Sequence, residues 1–134
     1  MTPISVTATA SDALAQRIRM HLQQIALHAA PITYHMLARA LGLVPPNTIH
    51  QVTEALERLM EEDAESGHPF IAALVISRIR NGLPAPGFFD CAKRLGRFDG
   101  NPKGPETGEF HRTALRAAVA FWSAAAAAES EGLR

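Results

Sequence analysis

The most constraining feature of this sequence is an unbroken apolar run over residues 70–76, which is followed within a few residues by Asn81-Gly82. A short run that is apolar at every position is typical of a strand buried on both faces. Asn-Gly is a strong turn signal, since both residues tolerate positive φ. We therefore predict a strand over residues 70–77 and then a hairpin turn. Two prolines in residues 83–87 make any returning strand short or irregular.

Apolar residues at helical spacing predict five helices around this strand, over residues 12–29, 34–41, 48–65, 88–95 and 109–128. Thr33 and Asn47 are suited to cap the starts of the second and third helices, and Gly42 to end the second in a left-handed conformation. Ile32-Thr33 is also predicted as a brief strand. The residues predicted to face the core are Leu14, Ile18, Leu22, Ile25, Ala29, Leu37, Leu41, Ile49, Val52, Leu56, Leu59, Met60, Leu115, Ala118, Trp122 and Ala125.

The predicted order of elements is helix, short strand, helix, turn, helix, strand and hairpin turn, which is the order of a winged helix. The expected fold class is therefore mainly α (α+β). It is a winged-helix-like helix-turn-helix with a small β-hairpin wing and an added long C-terminal helix. A length of 134 residues suits one domain. We place that domain at residues 11–134, after a flexible N-terminus over residues 1–10.

The bulk composition narrows the classes of partner. The chain carries 13 basic and 13 acidic residues, and this balance argues against a dedicated polyanion binder while allowing a local basic patch. A single cysteine, Cys91, excludes an intramolecular disulfide and favours a reduced, cytoplasmic setting. The sequence has neither a signal-peptide pattern nor an apolar stretch of the ~18 residues that span a bilayer, so no membrane association is expected.

The motif PITYHMLARALGL, residues 31–43, resembles the start of the DNA-binding domain of alkylguanine-DNA alkyltransferases and alkyltransferase-like proteins. The resemblance covers about residues 31–90, implies a winged helix that binds DNA, and makes Tyr34 a candidate contact. The sequence departs from the family at three points. The segment over residues 71–75 lacks the acceptor cysteine, His35 replaces a glycine, and residues 48–53 contain no arginine. Alkyl transfer is therefore not expected.

The third helix offers candidate base contacts in its first turn. Asn47, Thr48, His50 and Gln51 carry side chains that can bond base edges if this helix enters a major groove. The same exposed side continues with Glu54, Glu57 and Glu61, which phosphates repel. A capped surface helix without a ligand is therefore the alternative interpretation.

A basic zone follows the predicted wing and supplies candidate phosphate contacts. Residues 78–103 contain six basic and two acidic residues, whereas residues 47–77 contain six acidic residues and one arginine. The candidates in the basic zone are Arg78 and Arg80 at the wing, with Lys93 and Arg94 on the fourth helix. The alternative is that this zone packs against the acidic third helix within the molecule.

No enzymatic or metal-binding pattern stands out, so neither an enzyme nor a cofactor is predicted. The six histidines lack metal-ligand spacing. Cys91 precedes Lys93 and Arg94, which can lower a thiol pKa, but a buried structural cysteine is the simpler interpretation. The adjacent Phe88 and Phe89 either both enter the core or leave one ring as an exposed partner site.

Two functions stay open from the sequence. The first is a non-enzymatic module that binds double-stranded DNA through the third helix and the wing. The second is a protein-interaction or scaffold module with the same fold. The last helix also carries Val119 and Phe121 away from its main apolar stripe. Because a helix with two apolar sides buries both, we predict that Trp122 is buried. The second side then packs on the first helix, on the fourth helix or on a second subunit, and the last of these makes a homodimer a further prediction.

Overall fold

The described part of the chain, residues 10–132 of the computed structural model, is mainly helical with one small sheet, which confirms the predicted mainly α class. Residues 1–9, which hold most of the predicted flexible N-terminus, lie outside the described residues, and Ala10 begins the first helix. The elements are α1 (Ala10–Leu27), β1 (Ile32–Thr33), α2 (Tyr34–Ala40), α3 (Thr48–Ser66), a 3-10 helix (Ile71–Leu74), β2 (Val75–Ile76), a second 3-10 helix (Arg78–Arg80), α4 (Pro86–Arg94) and α5 (Glu106–Gly132).

The ends of α2 follow the predicted capping chemistry, whereas the start of α3 does not. The Thr33 hydroxyl accepts a 3.1 Å hydrogen bond from the backbone N–H of Met36. Gly42 takes the left-handed φ of 69° that lets the chain leave α2. Asn47 occupies the cap position of α3, but its backbone is left-handed and its side chain makes no capping bond. The first N–H groups of α3 are therefore left without a side-chain cap.

The strand predicted over residues 70–77 is wrong for most of its length. Ile71–Leu74 is a 3-10 helix, and only Val75–Ile76 is a strand, which pairs in parallel with Ile32–Thr33. The predicted burial is correct for residues 70–75, which are all buried, whereas Ile76 and Ser77 are partly exposed. The 3-10 helix packs against α1, α3 and α5, and its turns satisfy backbone groups without a neighbouring strand.

The predicted hairpin wing is replaced by a tight loop over residues 77–83, which we call the 77–83 loop. Its turn is the predicted one, with positive φ at Asn81 and Gly82 and a 3.1 Å hydrogen bond from Leu83 N–H to Arg80 O. A second bond of 2.8 Å, from Ser77 N–H to Leu83 O, closes the loop. Within residues 10–132 no strand returns after this turn.

The core contains most of the predicted residues and both adjacent phenylalanines. Phe88 and Phe89 are buried and belong to an aromatic cluster with Phe98 and Phe110, so the exposed-ring alternative is wrong. Ala29, predicted to face inward, is exposed beyond the end of α1. None of the helices in the described part is long and apolar enough to cross a membrane. The predicted core residues found buried are Leu14, Ile18, Leu22, Leu37, Val52, Leu56, Leu59, Met60, Ala118 and Trp122.

A buried carboxylate connects three elements of the core. Asp63 of α3 is 1% exposed, its Oδ1 forms a 3.0 Å ion pair with Arg19 of α1, and its Oδ2 accepts a 3.0 Å hydrogen bond from Ile71 N–H. Burial raises the pKa of the Asp63 carboxyl, and the Ile71 N–H and the charge of Arg19 oppose that shift. The Arg19 guanidinium also lies over the Trp122 ring, 4.9 Å from its centre, which brings α5 into the same network.

We expect Asp63→Ala to lower the free energy of unfolding by about 3–5 kcal/mol. The change leaves Arg19 without its buried partner and the Ile71 N–H without an acceptor. Urea unfolding followed by far-UV circular dichroism measures the loss.

The matched control for Asp63 is Glu61→Ala, which removes the exposed ion pair between Glu61 and Arg94. Because both side chains of that pair are solvated, we expect a change of no more than about 1 kcal/mol. A loss for Asp63→Ala as small as that of the control would show that the buried network is not needed for stability.

Trp122 is 6% exposed and its indole N–H donates a 2.9 Å hydrogen bond to Pro69 O, which confirms the predicted burial. We expect Trp122→Ala to cost about 3–5 kcal/mol, because a large cavity opens between α5 and the loop before residue 70. Trp122→Phe keeps most of the volume and loses mainly the hydrogen bond, about 1 kcal/mol. Equal stability of the alanine variant and the wild type in urea unfolding would contradict the core role.

Candidate nucleic-acid interface

Two adjoining open clefts of about 550 Å³ and 420 Å³ lie where α2, the start of α3 and the 77–83 loop meet. Thr33, His35 and Arg78 line both clefts, so we treat them as one surface and call it the basic cleft. Arg39, Met36 and Thr48 line the first cleft only. Ile49, Ile79 and Ala85 line the second only.

A strand pairing and a hydrogen bond hold the parts of the basic cleft in place relative to one another. Parallel pairing of Thr33 with Ile76 places the start of α2 beside the entry to the 77–83 loop. The Tyr34 hydroxyl accepts a 2.9 Å hydrogen bond from Ala85 N–H, which holds the exit of that loop. Burial raises the pKa of the Tyr34 phenol, so this group stays neutral.

The charge of the basic cleft is of one sign among the described residues. Its lining contains Arg39, Arg78 and His35 but no aspartate or glutamate. Neither arginine forms an ion pair with a carboxylate of the described part of the chain. The first carboxylate of α3, Glu54, follows Thr48 by six residues, about 9 Å along the helix axis. The charge of Glu57 on α3 nevertheless reaches the second cleft, because it acts on the Tyr34 phenol in that lining.

The structure brings only some of the predicted α3 residues to this surface. Thr48 lines the cleft, and Asn47 and His50 are exposed beside it. The side-chain amide of Gln51 donates a 3.3 Å hydrogen bond to Pro46 O, so it holds the connector before α3. Tyr34 is 7% exposed, and its hydroxyl accepts the hydrogen bond from Ala85 N–H. Its side chain therefore does not face the solvent.

The basic residues predicted after the wing are divided between two places. Arg78 lines the cleft and Arg80 is half-buried in the same loop. On α4, Lys93 donates a 3.0 Å hydrogen bond to Gly100 O, and Arg94 forms a 3.3 Å ion pair with Glu61. Glu61 follows Thr48 by 13 residues, about 20 Å along α3. Arg94 thus follows the alternative interpretation, in which the basic zone packs against the acidic helix.

Sequence reasoning missed two basic residues of the cleft, His35 and Arg39. They are four residues apart in α2 and so lie on the same side of this helix, with Met36 next to them. That spacing was the available signal. Charge counted by chain segment conceals this signal, because α2 lies outside the segment with the basic excess.

The remaining titratable candidates have structural roles. In the described part of the chain no group of three His, Cys, Asp or Glu residues could hold a metal ion. His111 is buried with its Nε2 2.9 Å from Ala73 O, and burial lowers the pKa of this imidazole. Because a carbonyl only accepts, the ring nitrogen donates, and the neutral side chain fastens α5 to the 3-10 helix Ile71–Leu74.

Cys91 is buried on α4, and burial raises the pKa of its thiol to about 11 despite the nearby Arg94 guanidinium. We therefore expect it to react slowly with iodoacetamide in the native state. At pH 8 only about a thousandth of this thiol is thiolate, and the thiolate is the nucleophile. Mass spectrometry should show fast labelling in urea and no transfer from an alkylguanine probe to the folded protein. A stoichiometric alkyl adduct on Cys91 would contradict the structural role.

Comparison of the chain with protein-family models, with curated proteins and with solved structures gave no match. The resemblance of residues 31–43 to alkyltransferase DNA-binding domains therefore stays a prediction from that motif. The case for function rests on the geometry and charge of the basic cleft.

Proposed function

We propose that the protein is a non-enzymatic helix-turn-helix module that binds double-stranded DNA through the basic cleft. The observation that carries the proposal is the convergence of Arg39, Arg78 and His35 on one open surface whose described lining has no carboxylate. Contacts from arginine and lysine to phosphate supply most of the sequence-independent affinity of proteins for DNA. Arg39 and Arg78 have no ionic partner among the described residues, so both are free to make such contacts.

The pair formed by α2 and α3 supplies the helix-turn-helix part of this proposal. The two helices are joined by residues 41–47, and α3 presents its first turn at the cleft. In helix-turn-helix proteins the N-terminal residues of the second helix contact base edges in the major groove. In this proposal Asn47, Thr48 and His50 make those contacts. The N–H groups of this turn, which no side chain caps, also favour a nearby phosphate.

The zero net charge of the chain is compatible with DNA binding because several carboxylates of α3 are paired within the molecule. Glu62 and Asp63 pair with Arg19, and Glu61 pairs with Arg94, in the C-terminal half of α3. Intramolecular pairing reduces the field that these carboxylates project toward the cleft. The local charge at the cleft, rather than the total, sets the attraction for phosphate.

A second candidate function, docking of another protein, is favoured by apolar side chains around the same cleft. Ile79 is 93% exposed, and Met36 and Val44 are also exposed. Clustered exposed apolar residues are typical of interaction surfaces. The partner can be a different protein or a second copy of this chain. A homodimer through α5 stays a prediction, with Phe121, at 37% exposure, as its candidate contact.

We expect the protein to bind a duplex of about 20 base pairs at ~50 mM salt, with affinity that falls steeply as salt rises. Arg39→Glu combined with Arg78→Glu should reduce the affinity at least about a hundredfold, because two phosphate contacts become repulsive. Fluorescence anisotropy of a labelled duplex measures both effects.

The matched control is Lys93→Glu combined with Lys103→Glu, which changes the net charge by the same amount outside the cleft. We expect this control to bind nearly as well as the wild type. Equal losses for the two double variants would mean that the cleft is not the site. Absence of binding at ~50 mM salt, where the electrostatic contribution is strong, would favour the protein-docking function.

A further inference from the structure

We propose that Ile79 is an apolar wedge that enters a base step of the bound duplex from the minor groove, while Arg78 and Arg80 contact the flanking phosphates. The inference rests on the proposed function and deepens it. It assigns the protein to binders of duplex DNA that open a base step, and it names the side chain that opens it.

The first observation is that Ile79 projects into solvent from a hydrogen-bonded turn. It is 93% exposed, the most exposed large apolar side chain in the described part of the chain. Three backbone hydrogen bonds hold its loop: from Ser77 N–H to Leu83 O, from Arg80 N–H to Ser77 O, and from Leu83 N–H to Arg80 O. Asn81 and Gly82 supply the positive φ values that the turn requires. The exposure is therefore built into a defined backbone conformation.

The second observation is the charge around this side chain. Arg78 and Arg80 flank Ile79 in sequence, and His35 shares a cleft with Ile79 and Arg78. A purely apolar partner would leave the two arginines without counter-charge when it covered the loop. Duplex DNA offers phosphates on its outside for the two arginines and apolar base faces within for Ile79.

The third observation is the position of the loop beside the start of α3. Ile49 of α3 and Ile79 line the same cleft, so the two elements are neighbours on one face of the molecule. The proposal places the first turn of α3 in a major groove and the neighbouring 77–83 loop in the adjacent minor groove. Proteins that use the minor groove often insert isoleucine, leucine or phenylalanine between base pairs and kink the duplex.

A wedge of this kind implies a preference among DNA sites. Pyrimidine–purine steps such as TA unstack easily, whereas other steps resist it. A mismatched base pair also costs less to open. We therefore expect tighter binding to a duplex with a central TA step or mismatch than to a fully paired duplex without one.

The test uses the full chain and a duplex of about 20 base pairs, two helical turns, with 2-aminopurine beside a central TA step. The fluorescence of 2-aminopurine rises when its base loses stacking. We expect a several-fold rise on saturation with the wild type and with Ile79→Leu, which keeps an apolar side chain of the same volume. Ile79→Ala should bind about tenfold more weakly and give no rise, because the arginines remain but the wedge is gone.

The matched control is Met20→Ala, which removes another exposed apolar side chain from α1, an element that lines neither cleft. This variant should behave as the wild type. Urea unfolding of each variant verifies that the fold is intact before binding is compared.

The outcomes separate the wedge from the proposed function. In one outcome, the wild type binds and Arg39→Glu with Arg78→Glu abolishes the binding, but fluorescence does not rise and Ile79→Ala has no effect. That outcome would overturn the wedge and leave DNA binding in place. A lack of binding to every duplex at ~50 mM salt would overturn both. A rise in fluorescence that Ile79→Ala retains would also overturn the wedge, because another group would then open the step.

Discussion

The rest of the structure depends on the burial of Asp63. A carboxylate in a protein interior is costly unless a cation and hydrogen bonds compensate it, and here Arg19 and the Ile71 N–H do so. Each partner belongs to a different element, so the charge can be satisfied only when α1, α3 and the 3-10 helix Ile71–Leu74 come together. The position of Arg19 over Trp122 extends the same requirement to α5. One acidic residue thereby specifies how four elements pack.

This network also determines where the candidate site lies. The 3-10 helix held by Asp63 leads directly into Val75–Ile76, and that strand pairs with the two residues before α2. The 77–83 loop then leaves the core at a fixed place, and the Tyr34 hydroxyl holds its far end. The basic cleft is therefore an exposed surface on a rigid base, which is the arrangement expected of loops that bind ligands. The charge of the basic cleft depends on which side chains this packing leaves without an ionic partner.

Sequence reasoning recovered the helices but not the segment between α3 and α4. The helices have periodic apolar positions and local end signals, such as the Thr33 cap and Gly42, which act within one turn. The run over residues 70–76 has no period, because every side chain is covered, and a buried strand and a buried 3-10 turn then have the same pattern. The candidate site was recovered in part for a related reason. The charge of a chain segment does not show that Arg94 packs against Glu61 or that Arg39 joins Arg78 across the fold.

The sequence by itself determined the helical class, the helix bounds to within a few residues, the turn at Asn81-Gly82 and the burial of Trp122. These features depend on backbone preference and on the free energy of burying apolar side chains, both of which act over short stretches of chain. Only the tertiary structure decided the conformation of residues 70–77, the parallel pairing of the two strands and which residues line the basic cleft. Those outcomes depend on contacts between residues far apart in the chain, such as Asp63 with Arg19. No local pattern encodes such contacts, because their free energy exists only once the partners have met.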